Sequence, residues 1–212
     1  IDKIINELVN WLEKYGKISM PRRLLLSCSM VALEVFQSQG VIHEQDKMIS
    51  FCHQSYLDFL IAVRLVEQIY GGRNILDWLG SREEQTLFSR EQLRQALALL
   101  ADELPDEFLE SIKQIILSKD IRFHLKHLVL EILSQTNVFS GSIADYCLAL
   151  IHNDYWKSHV LEIIYVGNVG FVQLLIDNGL IEQWLNSKES SDINQALWLL
   201  RSVVDKVPDK VT

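Results

Sequence analysis

Glycine and proline are scarce in this chain, nine and three in 212 residues. That excludes collagen-like and low-complexity classes and argues against an all-β sandwich, which needs many turns. Cysteine is scarce too. Cys28, Cys52 and Cys147 are odd in number, widely spaced and set among apolar neighbours, so they read as reduced, buried thiols of a cytosolic protein. No run of about eighteen apolar residues exists. The longest uncharged stretch, Ile163 to Ile176, has 14 residues and includes Gly167, Asn168, Gly170 and Gln173, which marks a core segment and not a membrane span. Positive charge is in the minority: 20 basic against 28 acidic residues give −8 and a pI near 5.2. Whole-domain nucleic-acid binding is therefore disfavoured, as is an anionic membrane surface. No phosphate-cradling Gly-x-x-x-x-Gly-Lys-Ser/Thr, no Gly-x-Ser-x-Gly elbow and no Cys-x-x-Cys occurs. The chain is not expected to act as an enzyme by itself. No signal peptide is recognised, and a start at Ile1 instead of Met leads us to expect a fragment or processed product.

What the chain has is aliphatic bulk. Leu, Ile and Val number 33, 21 and 16, and apolar residues make up 49%. At this length a real core is within reach, and disorder is excluded. The spacing predicts a helix over residues 2–15, with Asp2 as N-cap and Gly16 as stop. Ser19 and Pro21 are expected to open a second helix through Gln39. Val41–Glu44 and Met48–Cys52 form the one convincing β signal, a hairpin around Glu44-Gln45-Asp46-Lys47. A strongly amphipathic helix follows from Ser55 to Tyr70, and Gly71-Gly72 breaks it. The rest reads as helices: 93–101 behind a Ser89–Gln92 capping box, 105–117, 121–134 capped by Asp120, 142–152, 155–166, 169–178, 180–186 and 192–207. Leu128–Leu133 is echoed by Val160–Ile164 and more loosely by Ala196–Leu200, at offsets of about 32 and 36. Such a degenerate helix-pair repeat predicts an α-solenoid; an irregular helical bundle is the alternative. The expected fold is mainly α: a mixed unit over 1–80 with one short β-hairpin, then HEAT-like helical repeats over 81–212.

Four groups of residues invite a chemical reading. His124, His127 and Glu131 share one helical stripe and could hold zinc, or form a solvated stripe with an i,i+4 pair. Arg22 and Arg23 at a helix start oppose the macrodipole, so a carboxylate or a nucleotide phosphate is expected beside them; contact with a DNA backbone is the less favoured possibility. Asp102, Glu103, Asp106, Glu107 and Glu110 surround a helix start, where anions are favoured. His53 joins a strand to a helix. Its ring N–H could meet an anion at the helix N-terminus, or the residue could simply cap the turn.

Residues 40–62 carry a resemblance. Gly40-Val41-Ile42, a hairpin, then Phe51-Cys52-His53-Gln54-Ser55-Tyr56-Leu57-Asp58-Phe59-Leu60-Ile61-Ala62 resembles the end of the winged-helix domain in bacterial STAND/NACHT-type NTPases, which are NOD-like-receptor-like. The match covers about 25 residues closely and residues 1–80 in layout. The resemblance implies that His53 bonds the terminal phosphate of ADP and holds a closed state, which exchange for ATP opens into an oligomer. It implies that Asp58 caps or docks a helix, and that Phe51, Tyr56 and Phe59 are core anchors. The nucleotide-binding domain, with its ADP/ATP and magnesium, would belong to a longer parent chain. The helical repeats would form a sensor for a protein ligand, such as a foreign or phage protein, with Tyr155, Trp156, Trp184 and Trp198 as aromatic candidates. The implied role is a regulatory and sensor segment in cytoplasmic antiphage defence. The alternative is a free-standing α-solenoid scaffold in which His53 is only a turn cap.

Overall fold

The structure, a computed structural model, describes residues 2–135, 141–163, 168–204 and 206. It is mainly helical with one small antiparallel sheet. The expected helix ends at Val166 and Val207 lie outside the described residues. No helix among the described residues is long and apolar enough to cross a membrane. The chain divides into two compact units, Ile1–Trp78 with Thr86–Glu103, and Leu79–Gln85 with Leu104–Thr212.

In the first unit, α1 (Asp2–Tyr15) turns Ile4, Leu8, Val9 and Leu12 inward. Gly16, at φ +64, ends it, a conformation glycine takes without penalty. The expected second helix does not run from Ser19. Ser19–Pro21 is instead a strand, β1, followed by a 3-10 turn over Arg22–Leu25 and a shorter helix α2 (Met30–Ser38). The reason is local: Ser29 takes an extended conformation and its hydroxyl caps Ala32 N–H, so the helix starts there. Arg22 therefore leads the 3-10 turn, and its Nη1 donates to both carboxylate oxygens of Glu44, at 2.9 and 3.0 Å.

The hairpin is present as β2 (Ile42–Gln45) and β3 (Met48–Phe51), turning through Asp46 and Lys47, both at positive φ, as a two-residue hairpin turn requires. The expectation of a lone hairpin needs correction, because β1 pairs with the other edge of β3. The sheet order is β1-β3-β2. Methionine 20 and Ile49, paired in register, are fully buried, which gives a strand as short as β1 a reason to form.

Helix α3 (Gln54–Tyr70) carries two apolar faces. Leu57 and Ile61 belong to the core shared with α1 and the sheet. The other face packs against α5 (Leu87–Glu103), reached after the short α4 (Ile75–Leu79). Helix α5 begins before the expected Ser89 cap, because Thr86 Oγ1 accepts from Ser89 N–H and Ser89 is already helical. Arg64 ties α3 to α1 by donating to Asn6 at 3.0 Å and Asn10 at 2.9 Å.

The second unit is helical: α6 (Pro105–Leu117), α7 (Phe123–Ser134), α8 (Gly141–Ile151), α9 (Asp154–Ile163), α10 (Val169–Asp177), α11 (Leu180–Leu185) and α12 (Ser190–Val204). Proline 105 opens α6 at the N-terminal position where its missing N–H costs nothing. Asp120 does not cap α7. The N-cap position belongs to Arg122, and Asp120 instead offers its carbonyl to Gln85. Asparagines cap where no cap was foreseen: Asn153 accepts from Tyr155 and Trp156 N–H, and Asn168 from Phe171 N–H.

Gln85 is fully buried and uses both ends of its amide. It donates to the carbonyls of Gly80 (3.3 Å) and Asp120 (3.1 Å) and accepts from Arg122 N–H at 2.8 Å. Truncation would leave these backbone groups without partners. Gln85→Ala is expected to cost about 2 kcal/mol and to lower Tm by about 4–8 °C in thermal melts. An unchanged Tm would contradict this role.

Candidate functional site

The junction between β3 and α3 follows from packing on either side of it. Phe51 and Leu57 are both buried in one core. Cys52 N–H donates to the Val41 carbonyl at 2.9 Å, which ties the chain to the start of the hairpin just before the helix. His53 then takes the N-cap position at φ −128, ψ 133.

His53 is exposed, and its side chain makes no cap hydrogen bond. The turn-cap alternative therefore lacks the bond that would define it. The ring stands edge-on to Tyr56, with centroids 5.7 Å apart. The first turn of α3 holds no acidic residue, so nothing there competes with an anion for the positive end of the helix dipole. A neutral imidazole can donate one hydrogen bond toward such an anion.

Tyr56 and Phe59 are not core anchors. They are 43% and 48% exposed, whereas Phe51 is buried. The helical arithmetic explains the difference. Leu57, Asp58, Ile61, Ala62, Leu65, Val66 and Ile69 fill one half of α3, and at 100° per residue Tyr56 and Phe59 fall on the other half. The result is two exposed rings, of which Tyr56 stands beside His53.

Asp58 docks a helix and does not cap one. It is buried, and Gln92 Nε2 of α5 donates to its Oδ1 at 3.2 Å. Burial pushes the carboxyl above its ordinary pKa, and Glu91 pushes the same way, while the Gln92 and Gln54 amides hold it down. The folded chain thus binds this proton more tightly than the unfolded chain does. Between the ordinary carboxylate pKa and the raised folded value, the contribution to stability falls as pH rises. Asp58→Asn keeps an acceptor for Gln92 and removes the buried charge. The variant is expected to melt above the parent chain at neutral pH, with the gap closing as pH drops through the carboxylate range. Melts of both proteins from about pH 3 to 8 check this, and a lower neutral-pH Tm for the variant would refute it.

The other sequence candidates sit apart from this junction. Arg22 has its carboxylate partner in Glu44. The outward side of α2 exposes Val31, Glu34, Val35 and Ser38 and no cation, which is a poor surface for a DNA backbone. His127 Nδ1 lies 3.1 Å from Glu131 Oε1, the i,i+4 pair of the bland alternative, and among the described residues no three metal-capable side chains converge. Of the aromatic candidates, Trp156 and Trp184 are buried, while Tyr155 and Trp198 are exposed. Cys28 and Cys147 are buried free thiols, and burial pushes the Cys147 thiol up to about 12; Cys52 is a half-buried free thiol.

Sequence reasoning missed a ladder of cation–aromatic contacts in the second unit. Lys126 of α7 lies over the ring of Trp156 in α9 at 5.7 Å, and Lys157 of α9 lies over Trp184 in α11 at 5.1 Å. Both lysines stand three residues into their helices, a shared position that an alignment of the two helix starts could have exposed. No protein-family model, no curated protein and no solved structure matches this chain.

Proposed function

We propose that this chain is the regulatory and sensor segment of a nucleotide-switched STAND/NACHT-like NTPase. The observation that carries the reading is His53: an exposed imidazole at an extended N-cap, bonded to nothing at its own helix end, beside a first turn free of carboxylates. That arrangement fits a phosphate supplied by another domain of a longer parent. His53 would donate to a phosphate oxygen, and the exposed Tyr56 and Phe59 rings would meet the domain that holds the nucleotide. Bound ADP or ATP, with magnesium, would supply the difference in charge that separates the two states. A ligand shifts such a balance only through its differential affinity for them.

The first unit supports the winged-helix part of the reading through its order: helix, strand, two helical segments, then a hairpin whose second strand lies beside the first strand of the unit. The Lys126–Trp156 and Lys157–Trp184 contacts support helical repeats, because the same contact recurs from α7 to α9 and from α9 to α11. Tyr155 and Trp198, being exposed, are the anchors available to a protein ligand. Cytoplasmic antiphage defence is the biological setting we propose. In the scaffold alternative Tyr155 and Trp198 keep this role, and His53 has none.

A hydrogen bond to a charged phosphate contributes about 1.5–3 kcal/mol. His53→Ala in the longer parent protein is therefore expected to weaken ADP retention about 10–100-fold and to raise basal activity. Nucleotide release and oligomer formation measure the two effects. If both are unchanged, the switch reading fails and the scaffold reading takes its place.

A further inference from the structure

The second unit holds an open cup of about 500 Å³ lined from α8, α9, α11 and α12, within the range of about 300–1,000 Å³ found for ligand pockets. Ile151, Leu180 and Trp184 are its buried lining. Asp154, Lys157, Asn186, Ser187 and Asp192 supply polar groups to the same cup.

Hydrogen-bonding capacity in this lining is lopsided. Asn153 already caps α9, so the helix start makes no demand on Asp154. Among the described residues no hydrogen bond or ion pair reaches the Asp154 carboxylate. Asp192 Oδ2 accepts from Ser187 Oγ at 2.9 Å, but Oδ1 has only Lys157 Nζ, at 3.6 Å, beyond ordinary hydrogen-bond length. Asn186 spends its Nδ2 donor on the Glu182 carbonyl at 3.0 Å, which leaves its Oδ1 as an acceptor. Gln183 and His152 also line the cup, and each can both donate and accept. The open capacity is therefore weighted to acceptors, and most of it sits on carboxylates. Lys157 does not balance them, because its ammonium lies over the Trp184 ring at 5.1 Å and already serves Asp192.

A group with many donors, no acceptor and a positive charge answers such a lining. The guanidinium of arginine has five N–H donors in a planar fork, accepts nothing and stacks on aromatic rings. An anion would face two carboxylates against one ammonium. Lys157 displays the same chemistry within the chain, a cation set over an indole beside a carboxylate. The net charge of −8 steers a cationic partner toward the protein.

We propose that this cup receives an arginine side chain of a protein partner, its stem against Leu180 and Trp184 and its guanidinium on Asp154, Asp192 and Asn186. The site needs neither nucleotide nor switch, so it serves a sensor and a scaffold alike.

The test uses the full chain, labelled with nitrogen-15 and titrated at low salt with the peptide acetyl-Gly-Arg-Gly-amide. Trp184→Phe identifies the Trp184 indole signal among the five tryptophans. That signal is expected to shift saturably, with Kd of about 1–10 mM. Peptides with lysine, citrulline or glutamate in place of arginine are expected to bind more weakly, the uncharged citrulline by about tenfold. Asp154→Asn changes an exposed position and should weaken the arginine peptide about 3–5-fold. Asp145→Asn removes an exposed carboxylate of α8 outside the cup and should leave binding unchanged. No saturable shift, a citrulline, lysine or glutamate peptide that binds as tightly, or an equal loss in the Asp154 and Asp145 variants would each overturn the proposal.

Discussion

The pairing of β3 on both of its edges is the constraint on which the first unit depends. With β1 on one side and β2 on the other, this four-residue strand has no freedom of register, since a one-residue slip would turn Ile49 and Phe51 out of the core. Fixing Phe51 fixes Cys52, and Cys52 is tied again to Val41. The start of α3 and the outward position of His53 follow from that. The candidate site thus owes its geometry to a sheet, buried on one face, that contributes no group to it.

Helix α3 shows how one element serves two purposes. Half of its surface is given to packing, against the core shared with α1 on one face and against α5 on the other. That arrangement leaves Tyr56 and Phe59 exposed and carries Asp58 into the protein. A buried carboxylate is a poor source of stability. Its worth here lies in direction, because Gln92 reaches it from α5 and an apolar residue would accept many alignments of that helix. The Arg22–Glu44 ion pair joins the start of the 3-10 turn to β2.

The second unit repeats a different device. Lysine ammonium groups lie over tryptophan rings and also meet polar partners: Lys126 donates to the Ile116 carbonyl at 2.9 Å, and Lys157 lies 3.6 Å from Asp192. Each lysine fastens its helix to a later one, and Lys126 also satisfies a carbonyl at the end of α6.

The sequence by itself determined the helical class, the presence of the hairpin and its turn within Glu44–Lys47, the extents of α1 and α6, and the place of His53 between strand and helix. These are consequences of periodicity and turn chemistry, which act over a few residues. It also contained the Ser29 and Asn153 caps, although they were legible only once the true helix starts were known. Tertiary structure alone decided the rest. Ser19–Pro21 became a strand because β3 had an edge to pair and Met20 a core to enter. Tyr56 and Phe59 turned outward because the arc of α3 that could bury them was already filled by Leu57, Asp58, Ile61 and their neighbours. Trp156 and Trp184 were covered, and Tyr155 and Trp198 left in solvent, by the packing of helices far apart in sequence. A side chain's type states what it would gain by burial; which side chains are buried depends on the surfaces that distant segments bring to them.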